Sequence, residues 1–156
     1  KEWQMPVTTK EGATSKMLDI WKYATPRMHG LYKTRWLKEG LEAYMKERGL
    51  KGTPEAMPIP PIHMLAPSFE KLKNFIAEGL ASDCPVGFLN LHSGGEPIPY
   101  HWHWMPLVKI EERDGKTLCT LWDEGVPYIF NLGKWLANTK FGGGFVRVMG
   151  TERELK

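Results

Sequence analysis

The stretch His103-Trp104-Met105-Pro106-Leu107-Val108-Lys109-Ile110, the turn residues Glu112-Arg113-Asp114-Gly115-Lys116 and the run from Thr117 to Trp122 and Asp123 decide the fold. Two apolar runs flank a glycine-bearing polar turn, which is the pattern of an antiparallel hairpin. A three-residue loop of Arg113, Asp114 and Gly115 puts glycine at the left-handed position that such loops need. Pairing Glu112 with Lys116 then sets His103 opposite Gly125 and Asp123 opposite Met105, with His103 and Asp123 diagonal on one face. A two-residue loop would turn Asp123 to the other face, because side chains alternate with period two.

Outward from the hairpin, Pro85 to Leu91 is a short apolar strand, and Pro127 to Phe130 and Phe145 to Met149 give two more. Asn131 caps a short helix that ends near Gly142-Gly143-Gly144. Ser68 opens a helix whose Phe69, Leu72, Phe75, Ile76, Gly79 and Leu80 form one apolar stripe. The run Met57-Pro58-Ile59-Pro60-Pro61-Ile62 cannot be helical and reads as a connector or an edge strand. Thr34 is placed to cap a helix that runs to Arg48 and stops at Gly49. Ser15 to Tyr23 is a short helix, Thr25 to Tyr32 a loop and residues 1–12 an extended lead-in. Helices come first and strands last, so the expected class is α+β, a single domain over residues 1–156 with N-terminal helices packed on one side of a C-terminal antiparallel sheet.

The 156 residues are 42% hydrophobic, enough for one real core. The formal net charge is +3, and Lys33, Arg35 and Lys38 share their helix with Glu39 and Glu42, which describes a solvated face and argues against a nucleic-acid partner. No apolar run is long enough to span a membrane. Cys84 and Cys119 are too few for a disulfide framework, and two free thiols suit a reducing compartment such as the cytoplasm. Most of the seven tryptophans should serve as core or pocket wall.

A histidine beside a buried carboxylate has the makings of a general base, because the carboxylate fixes the tautomer and stabilises the imidazolium. His101 and His103 also stand two apart, so on a regular strand both point one way and could share a metal. Gly95, five residues and His101-Trp102-His103 match the opening of a cupin motif, but Leu107 and Val108 stand where its glutamate belongs. Cys84 precedes Pro85 and a strand, so no helix N-terminus activates its thiol, and Cys119 lies mid-strand as a small core residue. Ser68 and Ser93 lack a nucleophile elbow, and Gly142-Gly143-Gly144 stands after a helix rather than before one, the wrong order for cradling phosphate.

The run His103 to Ile110, the turn, and Asp123 at the end of the next strand resemble the histidine and acid strands of papain-like cysteine peptidases. They are closest to the bacteriocin-processing-peptidase-like branch. The Leu37–Tyr44 and Ser68 helices, Tyr128-Ile129-Phe130, the helix from Asn131 and the glycine-rich turn match in order, over about residues 25–150. The resemblance implies a papain-like fold, a peptide or other amide substrate, no cofactor, His103 as base and then acid, and Asp123 as its orienter. It also implies a cysteine opening an N-terminal helix. Residues 1–25 contain none, and the chain opens at Lys1 rather than Met, so the nucleophile is expected upstream. The alternatives are a nucleophile-free relative that binds in the same cleft, and a His-x-His metal protein.

Overall fold

The computed structural model describes residues 10–151. Element order is α1 (Lys10–Trp21), α2 (Thr34–Arg48), β1 (Thr53–Ile59), a 3-10 turn (His63–Leu65), α3 (Phe69–Ala81), β2 (Val86–Asn90), β3 (His103–Arg113), β4 (Lys116–Asp123), β5 (Val126–Asn131), α4 (Leu132–Asn138) and β6 (Gly143–Met149). The class is α+β. The six strands form one antiparallel sheet in the order β1-β6-β2-β3-β4-β5.

The first half of the proline-rich stretch, Met57-Pro58-Ile59, ends β1, an edge strand that among the described residues pairs with β6 alone. Pro54 and Pro58 of this strand fit there because an edge leaves room for residues that cannot donate a ladder bond. The alternation Val86, Phe88, Asn90 of β2 points all three at the buried face. There Phe88 stacks on Phe130 and Phe145, with ring centroids 5.2 and 4.9 Å away, and meets Trp135 edge-on at 5.1 Å. Leu72, Phe75 and Ile76 of α3 and Leu132 and Trp135 of α4 close this core.

Four sequence expectations are corrected. The helices do not lie on one side: α3 and α4 cover the core face, whereas Leu37 of α2 packs near Gly87 and Trp104 on the other. Residues 10–12 belong to α1 and not to an extended lead-in, of which residues 1–9 lie outside the described part. Thr34 is the first helical residue of α2 and does not cap it; Lys33 takes the cap position with no side-chain bond. Gly49 does end that helix in the left-handed conformation, and Ser68 and Asn131 do cap α3 and α4, accepting from the Lys71 and Lys134 amides.

The fourth correction concerns the hairpin. Arg113 pairs with Lys116, so the loop is the two residues Asp114 and Gly115, both at positive φ. Such a turn matches the twist of paired strands and suits an Asp-Gly pair. By itself it would send His103 and Asp123 to opposite faces. A β-bulge between Leu107 and Lys109 inserts one extra residue and reverses the parity. Leu107 therefore pairs with Leu121, and with that parity the His103 and Asp123 side chains meet on one face.

Candidate active site

β3 starts at His103 and β4 ends at Asp123, so the sheet delivers both side chains to the same margin of the core face. His103 Nε2 lies 3.3 Å from Asp123 Oδ1. The carboxylate side chain is 12% exposed and the imidazole 42%, so the carboxylate is sheltered while the imidazole is open to solvent. Among the described hydrogen bonds Asp123 engages Nε2, and none engages Nδ1. Tyr100 meets the imidazole edge-on, with centroids 5.3 Å apart.

The mount beneath His103 is a buried polar network. Asn90, fully buried, stands opposite His103 in the β2–β3 ladder. Its Nδ2 donates to Tyr100 O at 2.7 Å and to Ser93 Oγ at 3.0 Å, and its Oδ1 accepts from Trp135 Nε1 at 3.0 Å. Ser93 passes its own proton to Ile98 O, and Ile98 is driven into the core. One amide thereby fixes the loop that leads into His103. Sequence reasoning passed over Asn90, although a polar residue at the third inward position of an apolar strand was a legible signal. The Ser93 hydroxyl is spent inside this network, which removes it as a nucleophile.

The glycines that follow α4 serve the same mount. A Cβ on Gly142 would lie 2.0 Å from Ile59 O, and one on Gly143 would lie 2.0 Å from Leu89 O. Both have positive φ, so β6 reaches Asn90, which pairs with Gly143, only with glycine at these places.

His101 does not share a strand with His103. Trp102 between them has φ 55°, which breaks the alternation, and the two imidazoles have different neighbours. His101 lies 5.1 Å from His92, ring to ring, while His103 faces Tyr100 and Asp123. The expectation that both point one way is corrected on that ground. His92 ties two loops together: its Nδ1 accepts from the Gly94 and Lys140 amides at 3.1 and 3.2 Å. Burial, then His101 and Lys140, holds its pKa below the usual imidazole value. Among the described residues no three His, Cys, Asp or Glu side chains are placed to hold a metal ion.

Neither cysteine reaches the pair. Cys84 is buried ahead of β2, whereas His103 pairs with Asn90 at the end of that strand, about 20 Å of rise away. Cys119 is fully buried four residues before Asp123 in β4, about 13 Å of rise, and burial pushes its thiol up to about 12, with Glu112 adding to the effect. A hollow of about 590 Å³ between α1 and α2, lined by Ser15, Lys16, Asp19, Tyr44 and Arg48 among others, includes none of these groups.

No family model, curated protein or solved structure matches this chain.

Proposed function

We propose that this chain is the papain-like base-and-acid portion of a cysteine peptidase acting on a peptide or another amide bond. The observation that supports it best is the His103–Asp123 pair, with the sheltered carboxylate on Nε2 and no described hydrogen bond on Nδ1. In this reading Nδ1 takes the proton of a thiol supplied by a segment preceding Lys1. The thiolate attacks the amide carbonyl, the C–N bond breaks, and the imidazolium gives its proton to the departing amine. Water then opens the thioester as His103 takes its proton. Asp123 orients the ring and stabilises its cationic form throughout.

A second reading, a binding domain with no nucleophile, rests on Cys84 and Cys119, each a strand length from His103. One experiment separates the two. The protein is expressed from its gene's own start codon and treated with a thiol-directed peptidyl electrophile. Labelling at a cysteine preceding Lys1, abolished by His103→Ala and reduced by Asp123→Asn, supports the peptidase. Absence of labelling, or labelling indifferent to His103→Ala, favours the binding domain.

A further inference from the structure

Beside the His103 pair, side chains from three separate segments form a continuous chain of rings. His92 meets Phe141 edge-on at 5.8 Å, Phe141 lies 6.2 Å from Trp102, Trp102 lies 6.1 Å from Tyr32, and Tyr32 meets Trp36 at 5.0 Å. The segments are held in place independently. Trp104 Nε1 donates to Leu31 O at 2.5 Å and fastens the loop before α2, and Thr139 Oγ1 donates to His92 O and fastens the loop before β6.

Two features set this chain of rings apart from core packing. Phe141 is 50% and Trp102 56% exposed, so large apolar rings are displayed in a fixed array at the surface. Trp102 is also held at φ 55°, a conformation that costs a bulky residue energy and recurs where a side chain must be presented to a ligand. The charges lying over its rings are cationic, while Glu39, which lines the hollow beside Trp36, is paired with Arg35. Arg27 lies over Trp36 at 4.3 Å, Lys33 lies 5.3 Å from the same ring, and Lys140 stands beside His92. The complement of such a surface is apolar and anionic at once. Base stacking needs open ring faces. Here the rings meet mostly edge-on and a face of Trp36 is taken by Arg27, which favours a peptide over a nucleic acid.

We propose that this ring array is the docking surface for an extended peptide segment carrying a large apolar side chain next to carboxylates. The segment is taken as substrate because the loop Tyr100–Trp102 hands one ring to His103 and the other to the array, and to that extent the proposal rests on the peptidase reading.

The test uses the protein with 15N-labelled tryptophan, three peptide probes, acetyl-Asp-Phe-Asp-amide, acetyl-Lys-Phe-Lys-amide and acetyl-Asp-Ala-Asp-amide, and oligothymidylate as a fourth probe. The acidic Phe peptide should move the Trp102 and Trp36 indole resonances and bind about tenfold more tightly than either of the others. Trp102→Ala should weaken it by a similar factor, and charge reversal at Lys33 and Lys140 should reverse the preference between the acidic and basic peptides. His103→Ala should leave binding unchanged, so failure of the peptidase reading would not disturb this result. Equal binding of the three peptides, no binding of any, or indole shifts produced only by oligothymidylate would overturn the proposal.

Discussion

Asn90 stands opposite His103 in the β2–β3 ladder while its side-chain carbonyl accepts the indole proton of Trp135. A single buried amide thus couples the core helix α4 to the backbone that presents His103. Removing it strands the Trp135 N–H in the core and takes the Asn90 donor from the Tyr100 carbonyl. Asn90→Ala should cost about 2–4 kcal/mol of stability. Urea unfolding of the two proteins measures this directly, and a midpoint unchanged from the parent would show that Asn90 does not hold the loop.

Gly143→Ala should also destabilise, by about 3 kcal/mol, because its Cβ would fall 2.0 Å from Leu89 O at a backbone φ of 136°. Gly115→Ala is the informative contrast. It meets nothing within 4 Å, so only its positive φ opposes the change and the loss should be about 1 kcal/mol. Thermal melts of both variants rank the two effects.

Stability should fall with acid through His92. Its folded-state pKa lies below the ordinary 6.5, so the unfolded chain binds more protons in the interval between the two values. The contribution is intact above about pH 6.5 and is lost as pH falls toward the lower folded value. Protonation of Nδ1 would also break its acceptance from the Gly94 and Lys140 amides. His92→Asn should show a smaller loss between pH 7.5 and 5.5 by urea titration, and an identical loss would remove His92 from the cause.

Cys119 should stay unmodified in the native protein. Burial raises its thiol to about 12, so at about pH 8 almost none is thiolate and the side chain has no surface. Peptide mapping after iodoacetamide should find Cys119 alkylated only when the protein is first unfolded in urea.

The parts of the fold legible in the sequence were those governed by local chemistry. Ser68 and Asn131 announced α3 and α4 by their caps, Gly49 ended α2, and the prolines of residues 57–62 marked a connector or an edge, of which residues 57–59 fall in edge strand β1. Parity along the hairpin was not legible in the same way. The two-residue turn at Asp114-Gly115 and the bulge at Val108 each shift the register, and their effects cancel. A three-residue loop therefore placed Asp123 on the correct face for an incorrect reason. A bulge answers to packing across the sheet, as with Leu107 on Leu121 and Ile110 on Cys119, which no local pattern announces. The different neighbours of His101 and His103 were hidden for a similar reason, because the turn at Trp102 lets its ring meet Tyr32 and Phe141 from distant segments.

The assignment of His103 as a base held by Asp123 is tested most directly by nitrogen-detected NMR of the histidine side chains, at about pH 8.5 where imidazole is ordinarily neutral. The expected result is a single His103 tautomer with the proton on Nε2, shifted downfield and exchanging slowly, and lost to rapid exchange in Asp123→Ala. A His103 ring that averages both tautomers, or keeps the same Nε2–H signal in Asp123→Ala, would contradict the assignment.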